Sequence, residues 1–132
     1  TLDRSSAASD VYKRQEIYDV ALRAQKAGVA ASVPGAKLAD VDAACRDIIS
    51  AAGYGDYFVH STGHGVGLDV HEAPFAAQTG KGELAAGMTL TIEPGIYVPG
   101  KGGVRIEDTL IITDGAPKII TAATKEFTEL PA

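Results

Sequence analysis

The sequence has no tryptophan, a single cysteine (Cys45), a single methionine (Met88) and only 6% aromatic residues. A lone cysteine closes no internal disulfide, which fits a reducing cytoplasm. Cys45 falls on the apolar stripe of a predicted helix, so it reads as a small buried hydrophobe rather than a nucleophile. No apolar run approaches the roughly 18 residues that span a bilayer. No leader with a charged start and an apolar middle is visible. Positive charge is in deficit: 12 Lys and Arg against 17 Asp and Glu leave a net charge of −5. With no basic patch, nucleic acid and anionic membrane are excluded as expected partners. Histidine is scarce too, and all three copies fall between His60 and His71. What is present is 45% hydrophobic residues over 132 positions, enough for one small domain with a packed core.

The histidines sit in His60-Ser-Thr-Gly-His64-Gly-Val-Gly-Leu-Asp-Val-His71-Glu72-Ala-Pro74. Glycines 63 and 65 strip bulk from both sides of His64, so a ligand or metal can approach closely. His60 and His64 are four apart, which on a helix would align them, but the glycines favour strand or loop. Imidazole is the commonest protein metal ligand, and carboxylates complete such sites. Two carboxylates lie in apolar, strand-like runs downstream: Glu93 in Thr89–Tyr97 and Glu107 in Gly103–Thr109. Burying either is costly unless something pairs with it. For His64 the alternatives are metal ligand and core histidine. Asp69 and Glu72 read equally as partners that orient a histidine or as exposed loop charges.

Residues 1–15 show no clean helical or strand period. Ser5 to Gln15 reads, codon by codon, as the translation of a common sequencing-library adapter. The expectation is an artefactual tail without fold at 1–15 and genuine protein at 16–132. From Glu16 the pattern Ile17, Val20, Ala21, Ala24, Ala27 predicts a helix, with Gly28 at its fraying end. Ser32–Gly35 is a turn. A second helix over Leu38–Ala52 carries the stripe Leu38, Val41, Cys45, Ile48, Ile49, Ala52, with Gly53 as its cap. Both helices are expected to cover a sheet and to carry no chemistry. Ala73-Pro74-Phe75 reads as a turn walling the pocket. Met88–Ile92 alternates as a strand, Pro94-Gly95 ends or bulges it, and Ile96–Val98 resumes it. Pro99–Gly103 is a hairpin turn. Beyond it Arg105 and Glu107 share one face, so the guanidinium is placed to hold the carboxylate or a substrate group. Thr124–Ala132 is a closing tail.

HSTGHGVGLDVHE at 60–72, TIEPGIY at 91–97 and GVRIEDT at 103–109 stand in that order. Together they closely resemble the C-terminal half of the pita-bread metallopeptidases (family M24), in the Xaa-Pro dipeptidase and aminopeptidase P branch. The resemblance runs from about Glu16 to the C-terminus. Methionine aminopeptidases share GHG, HE and IEP but usually differ where this chain reads RIEDT.

The resemblance implies an α+β fold: half of a pita-bread (creatinase/aminopeptidase-like) domain, with two helices on a curved, mainly antiparallel sheet. It implies two divalent metal ions, Mn or Co ahead of Zn or Fe. His64 and Glu93 would bind one ion, Glu107 would bridge both, and two aspartates of the family's first half would complete the set. Asp3 and Asp10 do not match those aspartates. His60 and His71 would be substrate-site histidines, and Glu93 would also accept a proton. The activity implied is hydrolysis at a peptide N-terminus with proline second, in an intact parent that admits a homodimer. This chain alone is expected to be inactive. A methionine aminopeptidase-like enzyme, a metal-free creatinase-like hydrolase and a non-catalytic peptide-binding module of the same fold stand as alternatives.

Overall fold

The computed structural model describes residues 4–131. Helix α1 spans Arg4–Ala31 and α2 spans Leu38–Ala51. A single 3₁₀ turn, Gly55–Tyr57, follows. Seven short strands follow among the described residues: β1 Gly63–Gly65, β2 Glu72–Ala76, β3 Thr89–Ile92, β4 Gly95–Val98, β5 Gly102–Arg105, β6 Asp108–Ile111 and β7 Lys118–Ile119.

The strands pair antiparallel throughout, in three hydrogen-bonded pieces: β1 with β2, β3 with β6 and β7, and β4 with β5. Two backbone bonds tie the pieces together. Glu93 N–H donates to Thr62 O at 2.7 Å, and Ile106 N–H donates to Pro94 O at 3.4 Å. The helices cover these strands, which gives the α+β class expected. Ile17, Val20, Ala21 and Ala24 of α1 and Leu38, Val41, Cys45 and Ile49 of α2 form one core with Leu90, Ile92, Ile96, Ile106, Leu110 and Ile112. Those residues are the predicted stripes, apart from Ala27, Ile48 and Ala52 at their margins.

Four local readings differ. Helix α1 begins at Arg4, not Glu16, so 4–15 is helical rather than without fold. Residues 9–15 are exposed. A helix solvated on every side shows no apolar period, yet this stretch holds no Gly or Pro to stop propagation from the packed turns. Gly28 does not fray the helix. It is buried inside α1, where an added Cβ would meet Cys45 Sγ and would lie 2.9 Å from Ile92 Cγ2. Ala73-Pro74-Phe75, with its cis Ala73–Pro74 bond, lies within β2 and is not a turn. Pro74 is tolerated because β2 pairs on one side only, with β1. Last, β5 and β6 are separate strands; alternation survives the break, with Ile106 and Asp108 buried and Arg105 and Glu107 exposed.

The closing tail is anchored at two points. Tyr18 Oη donates to Lys125 O, and the Tyr18 and Phe127 rings meet edge-on at 5.3 Å. Lys125 Nζ lies 2.7 Å from Asp108 Oδ1, an ion pair without an aligned hydrogen bond. Gln25 Nε2 donates to the other Asp108 oxygen at 2.6 Å.

Candidate active site

Strand β1 carries His64, and β3 runs directly into Glu93. The glycines flanking His64 are what let these elements meet. A Cβ at Gly63 would overlap the Thr91 carbonyl, one at Gly65 the Ala73 carbonyl, and one at Gly67 the Glu72 carboxylate. The space that glycine leaves is thus filled by the protein itself, not held open for a ligand. Glu72 also accepts the Asp69 N–H at 3.3 Å, so this carboxylate braces its own loop.

His64 is buried and its Nε2 lies 2.8 Å from Glu93 Oε1. Its Nδ1 is 2.8 Å from Gly65 O. A carbonyl only accepts, so that contact assigns the proton to Nδ1. The Nε2 lone pair then faces a carboxylate oxygen, and two electron-pair donors at this separation call for a proton or a cation between them. Thr91 holds both partners: its Oγ1 donates to Glu93 Oε1 at 2.9 Å and accepts the His64 N–H at 3.1 Å. Glu93 Oε2 faces Arg105 Nε at 3.8 Å, an ion-pair distance on a half-exposed guanidinium and too long for a hydrogen bond.

The other histidines differ in setting. His71 is exposed, with its ring 4.3 Å from that of His64. His60 is half-buried and fully paired. Its Nδ1 lies 2.7 Å from Ser61 O, which makes Nε2 the acceptor of the Tyr97 hydroxyl at 2.8 Å. Tyr97 lies across Gly95 and Gly103, where any Cβ would strike its ring. The structure therefore gathers His64, Glu93, His71 and Arg105 into one corner, with His60 beside it on Tyr97. Glu107 is exposed and does not join a ligand group. Among the described residues, no set of three or more His, Cys, Asp or Glu side chains is arranged to hold a metal ion. One imidazole nitrogen and one carboxylate fit a divalent ion in kind but fall short in number.

Residue reasoning missed Thr91, Tyr97, and the pair Asp42 and Arg46. Thr91 and Tyr97 stood inside the second motif, two and four positions from Glu93. Asp42 and Arg46 had the i, i+4 spacing of a helical ion pair, beside rather than outside the apolar stripe.

A model of metallopeptidase family M24 matches residues 4–114. The chain is 51% identical over 115 residues to the Xaa-Pro dipeptidase of Pyrococcus furiosus, covering 87% of this chain and 33% of that protein. The crystal structure of the prolidase from Pyrococcus horikoshii superposes with a TM-score of 0.85 at 50% identity, over 87% of this chain and 33% of that one. The X-Pro aminopeptidase from Thermotoga maritima superposes at 0.83 with 33% identity, over 86% and 32%. The chain thus spans about a third of the length of the relatives it matches.

Proposed function

The chain belongs to metallopeptidase family M24, and from that membership we propose that its intact parent is a metal-dependent exopeptidase acting on Xaa-Pro bonds. The observation that carries this reading is the 2.8 Å approach of His64 Nε2 to Glu93 Oε1, two lone-pair donors brought together from separate motifs. In the proposal His64, Glu93 and Glu107 would be this chain's metal ligands, and the remaining carboxylate donors would come from chain beyond these residues. Bound ions of this kind, Mn or Co ahead of Zn or Fe, polarise a carbonyl and acidify a bound water.

The chain's own residues do the rest. Glu93 accepts a proton at its outer oxygen, with Arg105 across from it to steady the charge. His71, exposed beside His64, is the group free to hydrogen-bond a peptide carbonyl. His60 holds the neighbouring wall through Tyr97. A proline peptide bond has no N–H and a fixed φ, so its selection calls for shape on the side facing His71 and Arg105. Support for proline specificity comes from the dipeptidase and X-Pro aminopeptidase names of the relatives.

The test is a dipeptide assay on the intact parent loaded with Mn or Co. The expected result is release of the residue ahead of proline, with His64→Ala and Glu93→Gln each lowering kcat/KM by about a thousandfold or more. Turnover of Met-Xaa but not Xaa-Pro peptides would move the reading to a methionine aminopeptidase-like enzyme. Full Xaa-Pro turnover after exhaustive chelation would favour the metal-free creatinase-like hydrolase.

A further inference from the structure

Helix α2, expected to be a passive cover, holds an ion pair aimed at the loop that carries His60. Arg46 Nε donates to Asp42 Oδ2 at 2.7 Å, and Nη2 donates to Oδ1 at 3.0 Å. The Asp42 side chain is 1% exposed and that of Arg46 16%, so the pair is shielded from solvent. Neither group ends with the other. Arg46 Nη1 donates to Phe58 O at 2.9 Å, and Nη2 donates to His60 O at 2.9 Å. Asp42 Oδ1 accepts the Thr62 hydroxyl at 2.9 Å and the Thr62 N–H at 3.2 Å.

The anchored residues are 58, 60 and 62, alternate positions of the irregular connection between the 3₁₀ turn and β1. One turn of α2 thus supplies this connection with the hydrogen-bond partners that no strand gives it, a guanidinium fork and a carboxylate in place of backbone groups. The side chains repeat the link. The Arg46 guanidinium lies 4.0 Å from the centre of the Phe58 ring, and that ring meets His60 edge-on at 5.2 Å. His60 in turn accepts from Tyr97. Thr62, fixed by Asp42, accepts the Glu93 N–H through its carbonyl. A shift of the pair therefore displaces His60 directly and Glu93 by one further bond.

We propose that Arg46, locked by Asp42, is a positioning residue that sets the place of His60 beside the candidate active site. The inference rests on the peptidase reading above for its kinetic consequence and on geometry alone for its structural one. Lysine cannot replace this arginine, because one ammonium does not reach Asp42, Phe58 O and His60 O in the planar fork these contacts require.

The experiment is Arg46→Lys in the intact, metal-loaded parent, with exposed Asp47→Asn on the same helix as control. Three quantities are read: kcat against KM, the thermal midpoint, and the 15N resonances of the His60 imidazole. The expected result is a fall in kcat of about ten- to a hundredfold with KM within about twofold, since small displacements cost rate rather than binding. A moved His60 resonance accompanies it, with kcat still depressed well below the midpoint. A folded variant with kcat within about twofold of wild type overturns the proposal. So does full recovery of kcat at low temperature with an unmoved His60 signal, which would make the pair structural only. If Arg46→Lys fails to fold, Asp42→Asn is read the same way, since it keeps an oxygen acceptor for Thr62 and removes the charge. If the wild-type parent cleaves no Xaa-Pro peptide, the peptidase reading fails by itself, and the His60 resonance alone decides the positioning role.

Discussion

His64 and Glu93 were legible as candidates from the sequence because their neighbours are unusual: glycines on both sides of one, Pro-Gly after the other. The residues that hold them were not. Thr91 is an ordinary strand threonine, and nothing in its spacing announces that it bonds both partners. Arg105 was expected to face Glu107, yet its ion-pair partner is Glu93. Period-two alternation gives the face of a residue but not its partner across the sheet. Cys45 follows the sequence reading closely, as a buried hydrophobe whose thiol donates to Ala24 O at 3.1 Å. Burial, the largest cause, pushes this thiol from 9.0 up to about 12; the Asp42 charge adds to it, while hydrogen bonding to Thr62 and Gly28 and the Arg46 charge pull the other way. We predict that native Cys45 reacts with iodoacetamide at pH 8 at least about a hundredfold more slowly than in the denatured chain. Comparable rates would show that the thiol is open. The linkage has a definite sign. The unfolded thiol ionises near 9 and the folded one near 12. The contribution to stability is complete below pH 9 and drains away as the pH rises towards 12.

At the scale of elements, α2 was legible almost to the residue. Its stripe is regular, and Gly53 at φ 90° ends it. The start of α1 was hidden because a helix without a buried face carries no period. Strand β2 was hidden because proline reads as a breaker unless the strand is known to lie at an edge. The role of Gly28 was hidden for a similar reason: a glycine near a helix end looks like a place where the helix frays, while its packing lies on two other elements. Replacing it with alanine sets two effects against each other. Helix propensity favours alanine by about 1 kcal/mol. Forcing a methyl against Cys45 and Ile92, both in the core, costs about 1–3 kcal/mol. We predict that Gly28→Ala lowers stability by up to about 2 kcal/mol in denaturant titration. Adding Cys45→Ala should return part of that loss, because the sulfur is the nearer obstacle. Strict additivity of the two substitutions would mean that α1 and α2 do not meet through this pair.

For the molecule as a whole, the fold is more complete than the site. The two helices and their antiparallel strands bury a continuous core, so the elements that carry the motifs are well supported. The donors are not complete: His64 and Glu93 meet, Glu107 stays apart, and no third ligand joins them among the described residues. Around this corner large apolar side chains face solvent, including Leu68, Val70 and Phe75. Apolar side chains this large are costly to leave in water. This chain covers only about a third of the length of the relatives it matches, and we propose that the covering segment and the missing carboxylates are one and the same. The proposal binds two measurements together. Calorimetric titration with Mn should give the 132-residue chain an affinity weaker than its intact parent's by on the order of tenfold or more. The same chain, loaded with metal, should release no amino acid from a Xaa-Pro dipeptide. Equal metal affinity would mean that Glu107 swings in to close the site without further chain. Turnover by the chain alone would mean that two donors and a mobile third suffice for catalysis, and the shared-segment argument would then fall with it.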